Sequence, residues 1–137
     1  IVKLDAKKEK SKLARWQAIS EAAAKQSKRA VIPQVHSVMS YAEALAWADT
    51  LDVRLIPYEM AEDMAKTRSL IEEIRPGQSI GIFIGPEGGF TPDEIEQAMA
   101  HATQPITLGK RILRTETAGM TVLSILMYTL EGQELKA

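Results

Sequence analysis

Apolar positions along the chain recur at two different spacings, and the alternation between them predicts the order of elements. From Ser11 onward Leu13, Trp16, Ile19 and Ala23 follow at steps of three and four, one face of a helix running to about Lys28. Residues 1–10, a short apolar start followed by lysines, are expected to be irregular. Val31-Ile32-Pro33-Gln34-Val35 reads as an extended connection or an edge strand, because proline has no N–H to give a ladder. Ser40 with Glu43 fits a capping box that opens a short helix from Tyr41 to about Ala48. Asp52 to Pro57 alternates and ends in proline, a strand. An acidic loop from Tyr58 to Ala65 is expected next, then a short helix over Ser69 to Ile74, stopped by Arg75-Pro76-Gly77.

The second half carries the clearer signals. Ser79 to Ile84 is apolar on both faces, as expected of a central strand in a parallel sheet. Thr91-Pro92-Asp93-Glu94 combines a hydroxyl cap, an early proline and acids in the first turn. The helix it opens should turn Ile95, Ala98, Met99 and Ala102 inward. Pro105 to Leu108 is a brief strand. Thr115 to Leu130 is a helix with Ala118, Val122, Ile125 and Leu126 on one side and Met120, Leu123, Met127 and Leu130 on another. One side can take the sheet, and the other suggests a second subunit. Trp16 and Trp47 fall on helical patterns and read as core or interface residues, and His36 and His101 as surface residues. Strands and helices alternate, so the class is α/β with a mostly parallel sheet and helices on both faces.

Composition narrows the chemistry. A chain of 137 residues with 45% hydrophobic and 26% charged residues fits one soluble globular domain. No cysteine is present, which excludes a disulfide framework and a thiol nucleophile, and the two distant histidines make a metal site unexpected. No apolar run approaches a membrane span, and no secretory pattern is visible, so a cytoplasmic location is expected. The net charge of −1 conceals an asymmetry: residues 1–30 hold nine Lys/Arg against three Asp/Glu. That basic third is either an electrostatic footprint for nucleic acid or a solvated lysine-rich helix.

Candidate chemistry gathers at two glycine-bearing stretches. Ile84-Gly85-Pro86-Glu87-Gly88-Gly89-Phe90 ends a buried run, and Leu108-Gly109-Lys110-Arg111-Ile112-Leu113-Arg114-Thr115-Glu116-Thr117-Ala118 leads into the last helix. Turns after buried strands are where α/β proteins hold ligands. The spacing is neither a dinucleotide fingerprint nor a phosphate-binding P-loop. A nucleophile elbow and zinc-ligand spacings are also absent. Spacing alone allows a turn that brings a ligand to backbone amides, or a tight turn with no ligand.

These two stretches, with Glu21-Ala22-Ala23-Ala24-Lys25-Gln26-Ser27-Lys28-Arg29 and the following Pro33, resemble the 16S ribosomal RNA uridine-N3 methyltransferase family. That family lies in the SPOUT superfamily of trefoil-knotted methyltransferases, and the resemblance runs from about Trp16 to Glu131. It implies a parallel α/β sheet with a carboxy-terminal knot, a homodimer and the cofactor S-adenosyl-L-methionine. It implies cofactor contacts at Leu55, Pro57, Ile84, Gly85, Pro86, Glu87, Gly88, Gly89, Leu108, Gly109, Ile112, Leu113 and Thr115, with no metal. The product would be N3-methyluridine in 16S rRNA of the small ribosomal subunit. The resemblance further implies that residues 1–137 form a single methyltransferase domain without the family's amino-terminal RNA-binding barrel and the start of the catalytic domain. A second reading is therefore a non-catalytic fragment that serves only in cofactor binding or dimerisation.

Two cations carry the implied catalytic chemistry. Uridine N3 is a poor nucleophile until its proton is lost, and a cation near O2 or O4 stabilises the resulting anion. Arg114 and Arg29 are the candidates. Arg114 alternatively pairs with Glu116 or Glu87, and Arg29 is alternatively a surface cation. Glu87 is either a base or a loop-holding acceptor of backbone N–H bonds.

Overall fold

A computed structural model describes residues 6–27, 31–109 and 114–135. The described chain forms two compact units, Ile1–Tyr41 and Ala42–Ala137.

The first unit consists of helix α1 (Ala6–Gln26) and an extended segment after it. The helix starts five residues earlier than its apolar stripe predicts, at Ala6 instead of Ser11. The lysines from Lys7 to Lys12 are good helix formers and need no apolar face to extend it. The expected stripe is also rotated. Trp16 and Ile19 are exposed, and the inward row is Leu13, Gln17, Ser20 and Ala24. This row is partly polar because its partner is backbone. Gln17 Nε2 donates to the Pro33 carbonyl at 3.2 Å, Ser20 Oγ donates to the same oxygen at 2.6 Å, and the Val35 N–H donates to Gln17 Oε1 at 2.7 Å. The Val38 N–H donates to Glu9 Oε1 at 3.1 Å. Residues 31–40 are thus held extended by helix side chains and belong to no strand.

The second unit is built on a three-stranded parallel sheet in the order β2-β1-β3, with β1 at Val53–Pro57, β2 at Ile80–Ile82 and β3 at Gln104–Ile106. Among the described strands the central one is β1, not β2 as the apolar pattern predicts. Leu55 and Ile56, on opposite faces, are both fully buried, so both faces of β1 are covered. Arg54 disguises this strand in the sequence. Its Nη1 donates to the carbonyls of Ala48, Asp49 and Leu51 at 3.5, 3.3 and 2.9 Å, closing the end of helix α2 (Tyr41–Ala48). A cation is favoured at a helix carboxy terminus, where carbonyls lack intrahelical partners.

Helices α3 (Met64–Glu72) and α5 (Thr115–Leu135) enclose the main core with Leu55 and Ile106. From them come Ile71, Val122 and Leu126, with Ile74 just beyond α3. Helix α3 begins five residues before the expected Ser69, because the Asp63 carboxylate accepts the Lys66 N–H at 2.9 Å and caps it. Helix α5 buries Val122 and Leu126 and half-buries Ala118 and Leu130, while Met120, Leu123 and Met127 stay exposed. Ile125, expected on the side of Val122 and Leu126, is exposed, and Leu130, expected on the other side, packs against the core. Helix α4 (Pro92–Ala100) has the expected capping box, with Thr91 Oγ1 accepting the Glu94 N–H at 3.2 Å and Glu94 Oε1 accepting the Thr91 N–H at 2.9 Å. Ile95 and Ala98 are buried as expected, but Met99 is exposed and Ala102 lies past the helix end. Ala102 takes φ +58°, and the Thr103 and Ala102 N–H groups close on the Ala98 and Met99 carbonyls, the left-handed turn that ends many helices. Trp16 and Trp47, 39% and 52% exposed, are not core residues. His101 is half-exposed and its Nδ1 lies 2.8 Å from Asp49 Oδ2.

Candidate functional site

Because all three strands are parallel, their carboxy ends leave the sheet on one edge. Backbone bonds fix them level with one another. The Tyr58 N–H donates to the Ile106 carbonyl at 3.0 Å, and the Phe83 N–H donates to the Leu55 carbonyl at 3.0 Å. Pro57, Ile84 and Thr107 therefore start three neighbouring loops, and these loops hold most of the candidate residues read from the sequence. Leu55 itself points into the core, which leaves its backbone as the part near the loops.

The loop after β2 is shaped by its glycines. A Cβ at Gly85 would stand 3.0–3.3 Å from the Phe90 ring, so Phe90 folds closely over this glycine and its ring would have to shift to admit a side chain there. The Gly89 N–H donates to the Pro86 carbonyl at 2.8 Å, closing a turn that presents Glu87 and Gly88 to solvent. Gly89 sits at φ +73°, where side chains are strained. A Cβ on Gly119 of α5 would lie 3.9 Å from Ile84 Cγ1, so this loop runs beside the start of the last helix.

The loop after β3 is anchored by two threonines that sequence reasoning did not single out. Thr67 of α3 is buried, and its Oγ1 accepts the Thr107 N–H at 3.0 Å. Thr107 Oγ1 accepts the Gly109 N–H at 3.2 Å and lies 3.4 Å from the Gly109 carbonyl. Gly109 has φ +106° and is exposed, and among the described residues no atom lies within 4 Å of the position of an added Cβ. A threonine in a short helix carries no periodic signal, and only the tertiary contact reveals Thr67 as the anchor. An open groove of about 1480 Å³ between α3 and α5 starts beside the same pair and runs past Arg68, Tyr128 and Gln133.

Arg114 lies exposed immediately before α5, and its carbonyl accepts the Thr117 and Ala118 N–H groups at 3.0 and 2.8 Å. It makes no ion pair with Glu87 or Glu116 among the described residues. Arg29, Ile112 and Leu113 lie outside the described residues, as does the side chain of Thr115. Among the described residues no group of three or more His, Cys, Asp or Glu could hold a metal ion, and no helix is long and apolar enough to cross a membrane.

A parallel α/β unit with backbone-rich loops at the carboxy ends of its strands defines a class of ligand-binding domain. Within that class, the chain belongs to the RNA methyltransferase domain family, which it matches over residues 1–127. It is 37% identical over 134 residues to the ribosomal RNA small subunit methyltransferase E of Bacillus subtilis, covering 96% of this chain and 52% of that protein. A ribosomal RNA small subunit methyltransferase E from Neisseria gonorrhoeae, solved bound to S-adenosyl methionine, is 35% identical with a TM-score of 0.68, over 98% of this chain and 52% of that one. A Legionella pneumophila protein solved with SAM as bound cofactor is 31% identical with a TM-score of 0.81, over 93% of this chain and 50% of that one. The chain thus spans about half the length of these relatives.

Proposed function

We propose that the chain is the cofactor-binding part of an S-adenosyl-L-methionine-dependent methyltransferase that methylates N3 of a uridine in 16S ribosomal RNA, acting as a homodimer in the cytoplasm. The observation that carries this reading is the convergence of the Pro57, Ile84–Gly89 and Thr107–Gly109 loops on one edge of the parallel sheet. The SAM-bound relatives from Neisseria and Legionella support the choice of cofactor. The loops suit such a molecule: no described atom lies within 4 Å of a Cβ built at Gly88, Gly89 or Gly109, which favours approach of a ligand to their backbone groups. The proposed contacts are Leu55, Pro57, Ile84, Gly85, Pro86, Glu87, Gly88, Gly89, Leu108, Gly109, Ile112, Leu113 and Thr115.

When bound, S-adenosylmethionine supplies the electrophilic methyl group. The chain's own task is to hold a uracil in line and favour its deprotonated form. Arg114, exposed immediately before α5, and Arg29 are the proposed cations for the uracil oxygens. Glu87, at the solvent-facing turn, serves to hold the loops or to receive the N3 proton. The target base must be unstacked to be reached. The proposal includes a carboxy-terminal trefoil knot, and takes the whole chain as part of one methyltransferase domain.

The test is calorimetric titration of the chain with S-adenosylhomocysteine. Saturable binding near one site per chain, lost in Gly109→Arg, is expected. Absence of binding to the unsubstituted chain would remove the cofactor-site reading and leave the non-catalytic fragment.

A further inference from the structure

The loop after β2 carries Gly85, Gly88 and Gly89 within a few residues of one another, and glycine gives a chain more backbone conformations than any other residue. A loop that offers its backbone to a ligand must still hold one arrangement, because ordering it at the moment of binding costs affinity. Three restraints act along it. At the strand end the Phe83 N–H donates to the Leu55 carbonyl at 3.0 Å. At the tip the Gly89 N–H donates to the Pro86 carbonyl at 2.8 Å. At the helix end Thr91 is fixed by the capping box of α4. None of these three joins the strand end of the loop to its helix end.

Phe90 makes that join. Cε2, Cδ2 and Cζ, one edge of its half-buried ring, stand 3.0, 3.1 and 3.3 Å from the position of a Cβ at Gly85. Phe90 also precedes the Thr91 cap, the place from which an apolar side chain commonly packs onto the fourth residue of a helix, here the buried Ile95. The ring is thus rooted at the start of α4 and laid across the start of the loop, and the Pro86–Gly89 turn is the stretch enclosed between its two ends. We infer that Phe90 is a positioning residue: its ring clasps Gly85 and holds the enclosed turn in the arrangement that meets the cofactor. This role rests on the methyltransferase reading of the site and adds to it a side chain that acts through the loop backbone.

The test compares the full chain with Phe90→Ala, Phe90→Leu and Ile95→Val. Leucine keeps apolar bulk near the backbone but lacks the Cε2 and Cζ atoms that reach Gly85. Ile95→Val trims the packing of α4 and leaves the ring in place. Amide exchange of the ligand-free chains is followed over residues 84–90 by peptide-level mass spectrometry. S-adenosylhomocysteine affinity is measured by calorimetry, and the fold by circular dichroism and urea unfolding. Both Phe90 variants should exchange the Gly89 amide about fivefold or more faster and bind S-adenosylhomocysteine about tenfold or more weakly. Ile95→Val should lower the unfolding midpoint and change neither. If Phe90→Ala does not fold, Phe90→Leu carries the same comparison. Weaker binding with unchanged exchange overturns the positioning role, because Phe90 would then act on the ligand directly. Unchanged binding in the Phe90 variants, or equal losses in Ile95→Val, overturns it too and leaves the methyltransferase reading in place. An unsubstituted chain that binds no S-adenosylhomocysteine overturns the cofactor reading itself, and the positioning role with it.

Discussion

At the scale of single residues, the candidate site divides into groups that shape loops and groups that do chemistry. Thr67 shapes a loop. Its hydroxyl is the acceptor for the Thr107 N–H in a buried setting, so Thr67→Val leaves that N–H without a partner. The expected cost is about 1–3 kcal/mol in urea unfolding, with weaker S-adenosylhomocysteine binding, while Thr67→Ser should recover most of both. Arg114 is the opposite case. Only its backbone carbonyl caps α5, so Arg114→Ala should leave the unfolding midpoint unchanged. In an active full-length enzyme the same change should lower turnover by about tenfold or more, with cofactor-product affinity altered by less than about threefold. Equal turnover would remove its catalytic role. Gly85 and Gly109 could be read from the sequence because a glycine stands for a backbone requirement. Thr67 could not, because a hydroxyl reports its partner only after folding.

Among the elements, α1 departs furthest from its pattern. Its inner face binds peptide groups through Gln17 and Ser20, which occupy positions that a hydrophobic stripe would have given to Trp16 and Ile19. Gln17→Leu removes both an acceptor and a donor that hold residues 33–35. The Val35 amide should then exchange with deuterium about tenfold faster, measured by peptide-level mass spectrometry, while helix content stays constant. Unchanged exchange would mean that Ser20 suffices to hold the segment. The capping box at Thr91 and Glu94 behaves in the opposite way: every bond in it is local, and it was legible from four consecutive residues. Helix α2 starts at Tyr41 as expected, whereas α3 begins earlier than its apolar residues suggest because Asp63 caps it.

For the whole molecule, the outer side of α5 is the feature that one chain leaves open. Met120, Leu123 and Met127 follow at i, i+3 and i+7 and are 63%, 53% and 59% exposed. A row of large apolar residues at that spacing is the usual mark of a helix awaiting a partner. In the proposed homodimer it would be covered by the second copy. Sedimentation equilibrium should find a dimer for the unsubstituted chain and a monomer for Leu123→Glu/Met127→Glu. A monomer in both would overturn the dimer and leave the cofactor loops unaffected.

The sequence by itself determined the α/β class, the parallel sheet, the helix starts that carry their own caps and the two glycine-bearing loops. Each of these is written in residues close together, through periodicity, capping chemistry or the backbone freedom of glycine. Tertiary structure alone decided that β1 is the central described strand, that Thr67 anchors the Thr107–Gly109 loop, and that Gln17 and Ser20 take the inner face of α1. Arg54 hides the centrality of β1 until its guanidinium meets the end of α2. In each case the deciding partner is distant along the chain or is a peptide group, and neither leaves a periodic trace in the sequence.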